Sequence, residues 1–221
     1  GSVGAVTPEG ATWDKVIGDW PRRGLGAVSN FDEDALRSLV AAAHGAGLRT
    51  AIHTAAPETP GMAVRAGVDS IEHGLFLTET DLEMLGGRGG AWVPTIAAME
   101  MLAAALGADS SGGRLFAEGL ANVRRMLPHA AAAGVKVMAG TDLALQHGEV
   151  AAEAVRLLDY GLAAEDVLAA MTTTPREFLG ETGFVIGRPA DFILVDRPDL
   201  LTALARPRLV VRCGTIVRDD R

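Results

Sequence analysis

The sequence predicts an α/β fold built on a parallel sheet whose strands are joined by helices. Three observations predict it. Short apolar runs alternate with helical stretches from Asn30 to about residue 180, the pattern of strand–helix crossovers. Four of those runs end in polar or conformationally special residues, at His53, His73, Pro94-Thr95 and Thr141-Asp142. From Phe184 onward the pattern changes to short β-like runs with no helices between them.

The first 30 residues mix Gly and Pro with Trp13 and Trp20 and read as an irregular loop that packs over something. Asn30 or Asp32 can then cap a helix over residues 33–46. Glu33 and Asp34 suit its first turn, and Leu36, Leu39, Val40 and Ala43 recur at helical spacing. Gly45 and Gly47 stop it, and residues 49–53 read as a buried strand ending in His53. The unit repeats: a short helix near 60–66 and a strand at 68–73, then a helix opened by the capping-box pattern Thr78 to Asp81, and a strand at 91–95. Helices over 96–106 and 114–133, split by the Gly/Ser stretch 110–113, lead to a strand at 135–140. Helices at 149–160, at 164–172 and just after Pro175 follow. The tail reads as strands at 190–195, 209–212 and 215–218, the last two joined by a hairpin turn at Cys213-Gly214.

In a barrel of alternating strands and helices the carboxyl ends of the strands build the active site. The four special strand ends would therefore meet on one face. His53, His73 and Asp142 supply imidazole nitrogen and carboxylate oxygen, the atoms a catalytic zinc site takes while leaving a position for water. A metal so held acidifies water, and a carboxylate beside that water, for which Asp142 is the candidate, can take its proton and pass it to the leaving group. His147, just beyond the last of these strands, is a candidate substrate contact.

Composition narrows the partners. A formal net charge of −8 argues against nucleic acid and anionic membranes, both of which select basic patches. No apolar run approaches the ~20 residues of a membrane span. The single cysteine, Cys213, cannot form an internal disulfide, so no oxidising compartment is implied and a cytoplasmic location is expected.

The motifs Ser70-Ile-Glu-His-Gly74, Val93-Pro-Thr95 and Ala139-Gly-Thr-Asp142 resemble, in order and spacing, the sixth, seventh and eighth strand motifs of the amidohydrolase superfamily, in its imidazolonepropionase and prolidase-like branch. Residues 41–53 resemble that family's fifth unit, and 169–180, 187–196 and 212–217 its closing segments, so the likeness covers about residues 30–218. The resemblance implies a partial (β/α)8 TIM-type barrel, strands five to eight with their helices over residues 1–183, plus a small C-terminal β-sandwich element over 184–221. It implies hydrolysis of an amide, cyclic amide or related bond of a small-molecule substrate. Water activated by one or two divalent ions, zinc first and manganese or iron as alternatives, would be the nucleophile. Position by position, His53 and His73 match the histidine ligands of strands five and six. Asp142 matches the strand-eight aspartate, which serves as ligand and proton shuttle.

The departures from the family pattern are specific. No His-x-His pair, which the family carries on its first strand, occurs anywhere. Many members bridge two metals with a carboxylated lysine on strand four. Here Lys15 falls in the segment read as irregular, and Lys136 at the wrong end of its strand. The expectation is a chain that begins just after strand four. Its open strand edges then favour a homo-oligomer or a complementing N-terminal half. Two alternatives stand beside this reading: a non-catalytic remnant or interaction module that keeps the fold, and a phosphotriesterase-like hydrolase. The bland readings make Glu72 a structural residue salt-bridged behind the barrel, His44 a packing or helix-end residue, His129 a surface residue and Glu153 structural.

Overall fold

The structure, a computed structural model, describes residues 10–22, 26–181, 183, 185–196 and 206–220. The described part of the first 30 residues is not irregular. It holds β1 (Trp13–Ile17), β2 (Asp19–Arg22) and β3 (Gly26–Ser29), with β2 and β3 paired antiparallel. The chain continues through α1 (Glu33–Gly45), β4 (Arg49–Thr54), α2 (Thr59–Ala66), β5 (Ser70–His73), α3 (Glu79–Gly87), β6 (Ala91–Val93), α4 (Ile96–Leu106) and α5 (Ser111–Ala132). Then come β7 (Lys136–Val137), α6 (Val150–Asp159), α7 (Ala164–Met171) and α8 (Thr173–Phe178).

Five strands form one parallel sheet in the order β1-β4-β5-β6-β7, with helices between successive strands from β4 onward. This is consistent with a partial (β/α)8 barrel. It has one strand more than the sequence suggests, because β1 lies parallel beside β4 with Lys15 opposite Ala51 and Ile17 opposite His53. The strand escapes sequence reading for a physical reason. Of Trp13–Ile17 only Val16 is buried, so Asp14 and Lys15 interrupt the apolar run that marks the other strands. Lys15 is thus a mid-strand residue, not part of a loop.

Local chemistry fixes the helices. The Asp32 side chain accepts the N–H of Ala35 at 2.8 Å, and Leu36, Val40 and Ala43 turn inward from the helix it caps. Thr78 and Asp81 exchange bonds as a full capping box ahead of α3. The last strand of the sheet is shorter than expected, because the Ala139 N–H bonds to the Ala170 carbonyl at 3.0 Å and leaves the sheet. The core lies between the helices and one face of the sheet, where Leu36, Ile52, Val64, Ile71, Leu82, Leu85, Trp92 and Leu127 are fully buried. Burial of such side chains contributes roughly 1.5–3 kcal/mol each. The opposite face carries Lys15, Ile17, Ala51, His53 and Glu72, all at least partly exposed.

The C-terminal segment forms a separate three-stranded antiparallel sheet of β8 (Phe192–Leu194), β9 (Leu209–Arg212) and β10 (Thr215–Asp219), in the order β10-β9-β8. Cys213 and Gly214 join the last two with φ of 48° and 77°, the two positive values of a tight hairpin turn. The expected change of pattern at Phe184 lies outside the described residues. Among the described residues no helix is long and apolar enough to cross a membrane.

Candidate functional site

Alternation along β4 buries Thr50, Ile52 and Thr54 against the helices and leaves Arg49, Ala51 and His53 on the open face. Register carries that face across the sheet. Lys15, Ala51 and Ser70 form one row, and Ile17, His53, Glu72 and Val93 the next toward the strand ends. Glu72 therefore stands on the open face beside His53, not behind the barrel. It accepts a hydrogen bond from Ser70 Oγ at 2.7 Å, two residues along the same face. Burial raises its pKa, while the charge of Lys15 lowers it and that of Asp142 raises it further.

His73 would point away from this face if the strand simply continued. Its φ of 65° ends the alternation, and its ring meets His53 edge to face with centroids 4.6 Å apart. Positive φ at a non-glycine residue costs roughly 1–3 kcal/mol and persists only where neighbours enforce it. Here the Trp92 indole N–H donates to the His73 carbonyl at 2.9 Å, and the Gly74 N–H bonds to both the carbonyl and the hydroxyl of Thr54. The same backbone conformation recurs at Thr95 (47°), two residues past β6, and at Asp142 (47°), in the segment that follows β7.

The Thr95 hydroxyl lies 2.8 Å from the Pro94 carbonyl and 2.6 Å from His73 Nδ1. With its one proton turned to the Pro94 carbonyl, Thr95 accepts from His73 Nδ1–H, and His73 then presents the Nε2 lone pair to His53 Nδ1 at 2.9 Å. Burial, with His53 and Lys15 beside it, lowers the His73 pKa to about 3. Burial also lowers that of His53. Lys15 adds to the effect, and Asp19 and Asp142 oppose it. Both rings are therefore neutral at neutral pH, the form that binds metal ions.

Two residues that sequence reasoning did not single out complete the surroundings. Asp19 is fully buried, accepts the N–H groups of Ala55 and Ala56 at 2.8 Å each, and lies 3.7 Å from His53 Nε2. Trp20 stacks obliquely on His53 at 5.6 Å and stays half exposed at the strand ends. The chain reaches these positions through Gly18, whose N–H bonds to the His53 carbonyl. A side chain there would sit 2.7 Å from that oxygen. The signal that was available is Lys15 itself, two residues from Ile17 at a strand end.

Of the residues expected at the site, His53 and His73 are in direct contact. Asp142 is exposed in the segment after β7, the second strand from β5, and acts on His53 and Glu72 through its charge. His147 is exposed in the loop leading to α6. His44, by contrast, pairs with Asp69 at 2.8 Å far from this cluster, and His129 is exposed. Among the described residues no three His, Cys, Asp or Glu side chains converge as a ready ion site. The donor chemistry still fits a divalent ion. Two nitrogen ligands held tetrahedrally about 2.0–2.1 Å from one ion stand roughly 3.3–3.4 Å apart, so the ring nitrogens, in hydrogen-bond contact at 2.9 Å, would open by a few tenths of an ångström to hold one.

Known proteins share this fold. The model of the amidohydrolase family matches residues 26–215. An uncharacterised protein of Mycobacterium tuberculosis is 32% identical over 206 residues, covering 87% of this chain and 54% of the relative, and one of Mycobacterium bovis matches equally. The chain thus spans about half the length of the curated relatives it matches. Among solved structures, a Xaa-Pro dipeptidase with methionine bound in its active site superposes with a TM-score of 0.74 at 27% identity. That match covers 86% of this chain and 50% of the other. A prolidase complexed with N-methylphosphonate-L-proline gives 0.77 at 26% identity, covering 95% and 55%. Aspergillus niger ochratoxinase, 19% identical with a TM-score of 0.79 over 95% of this chain and 51% of its own, shares the fold. With its parallel sheet, its paired strand-end histidines and a family match across most of its length, the chain belongs to the amidohydrolase family.

Proposed function

We propose that this chain carries the metal-binding and proton-transfer residues of a hydrolase that cleaves C–N bonds of amides or cyclic amides. The observation that carries the reading is the pair of neutral imidazoles, His73 Nε2 facing His53 Nδ1 at 2.9 Å, on the open sheet face one row above Lys15. His53 and His73 would hold a divalent ion, zinc first and manganese or iron as alternatives. When bound, the ion supplies the Lewis acidity that makes water nucleophilic at neutral pH. His53 then needs its proton on Nε2, on the side where the buried Asp19 carboxylate stands 3.7 Å away.

Lys15 alters the account that sequence alone supports. As a residue of the strand that precedes and flanks β4, it would correspond to the family's strand-four lysine, and its charge is felt by His53, Glu72 and His73. In carboxylated form it would add a third donor to the two imidazoles. Asp142 would take one proton from the attacking water as the C–O bond forms. It would return that proton to the nitrogen as the C–N bond breaks, so that acid and amine leave. The likeness to a Xaa-Pro dipeptidase and a prolidase supports a dipeptide-like amide as the substrate class. The open face and the strand edges at β1 and β7 are covered, in this reading, by a complementing N-terminal half or a second copy.

The test is hydrolysis of a panel of dipeptides and cyclic amides by the chain supplied with zinc or manganese, alone and in the length its relatives have, with particle mass measured by light scattering. Turnover that His73→Ala reduces at least a hundredfold is expected, from a particle larger than one chain or from the longer form. Absence of turnover in every form would leave the alternative of a non-catalytic module that keeps the fold.

A further inference from the structure

Thr95 occupies the position that should cap α4, yet it does not cap it. A threonine at a helix N-cap normally sits in extended backbone and turns its side-chain oxygen to the N–H groups of the first turn. Here φ and ψ are 47° and 49°, and the side chain makes no capping bond. Its hydroxyl is spent on His73 Nδ1 and the Pro94 carbonyl. The free N–H groups at the start of α4 are satisfied from another helix. Glu153 of α6 is fully buried, and its two carboxylate oxygens accept the N–H of Ile96 at 2.6 Å and of Ala97 at 2.9 Å. Burial raises the Glu153 pKa, and the two backbone N–H donors at the helix start lower it in turn.

From this exchange of roles we propose that Glu153 is a positioning residue. By capping α4 in place of Thr95, it releases the Thr95 hydroxyl to hold the His73 ring in the tautomer that presents Nε2 to the open face. The inference rests on the reading of His53 and His73 as an ion site. A chain of contacts carries it: carboxylate to helix terminus, helix terminus to Thr95, Thr95 to His73. The helix that bears Glu153 also follows the loop bearing Asp142, so one buried carboxylate ties the Asp142 side of the site to the His73 side.

The experiment is a double-mutant cycle on zinc affinity, read by competition with a chromophoric chelator, with Glu153→Gln, Thr95→Val and the pair. Loss of an outer hydrogen-bond partner of a metal-binding histidine weakens metal affinity roughly 10–100-fold. Each single variant is expected to fall in that range, Thr95→Ser to restore most of the loss, and the pair to bind no more weakly than the worse single. Losses that multiply in the pair would overturn the proposal and leave Glu153 a fold-stabilising cap. A second readout needs no metal. In the nitrogen-15 imidazole spectrum of the metal-free chain, His73 is expected as the Nδ1–H tautomer in the wild type and as a mixture in Glu153→Gln. An unchanged His73 signal in that variant would also overturn it. If the wild type binds no zinc while the His73 signal shifts as expected, the ion-site reading fails and the positioning role stands.

Discussion

At His73 the ring nitrogens are both engaged, one by Thr95 and one by His53, and the backbone is held in the left-handed region by Trp92 and Thr54. A proton added to this ring is opposed first by burial and then by the charges of His53 and Lys15. The lowered pKa, from an ordinary value of 6.5 to about 3, makes that a statement about stability. The unfolded chain binds the proton as pH falls below about 6.5 and the folded chain resists it. Stability contributed by the neutral ring is therefore complete above that pH and is lost as pH falls toward 3. Urea denaturation of the metal-free chain should show the wild type losing stability between pH 7 and pH 4 more steeply than His73→Asn. Parallel curves would contradict the assignment. His53, His73 and Asp142 were legible in the sequence because each closes an apolar run. Glu72 was misplaced because strict alternation was extended through a residue whose positive φ breaks it. Asp19 and the strand role of Lys15 were hidden by a strand that is only half apolar.

Most of the secondary elements could be read because their signals are local: the Asp32 cap, the Thr78–Asp81 box and the glycines that stop helices. What could not be read is how closely elements approach. Gly86 of α3 shows this, since a methyl group added there would lie 1.9 Å from the Ala133 carbonyl oxygen just past α5. Neither Gly86 nor Ala133 marks that contact in the sequence. Gly86→Ala must separate α3 from the end of α5, the helix that feeds the last strand of the sheet. A cost of roughly 1–3 kcal/mol is expected from such overpacking, measured as a lower urea midpoint with an unchanged slope. An unchanged midpoint would mean that the two backbones are not in contact. Glu153 belongs to the same lesson. It reads as an ordinary inward residue of an amphipathic helix, and its function depends on a helix start 57 residues away in the chain.

Across the whole molecule, the five-strand sheet buries one face under helices and leaves the other bearing Lys15, His53 and Glu72. Sequence order alone predicted the parallel sheet and the separate C-terminal β element. It placed the beginning of the barrel portion one strand too late. That single strand matters most for the chemistry, because it turns a two-histidine pair into a row with a lysine beneath it. The chain corresponds to about half of its relatives' length. In the proposed reading this face binds a divalent ion through His53 and His73 with Lys15 in support. The direct measurement is metal content per chain by atomic emission, after growth with zinc and bicarbonate, for the wild type, His53→Ala with His73→Ala, and Lys15→Met. The account predicts bound metal in the wild type, none above background in the double histidine variant, and a reduced amount in Lys15→Met. Equal metal in all three, or none in the wild type in any assembled form, would contradict it.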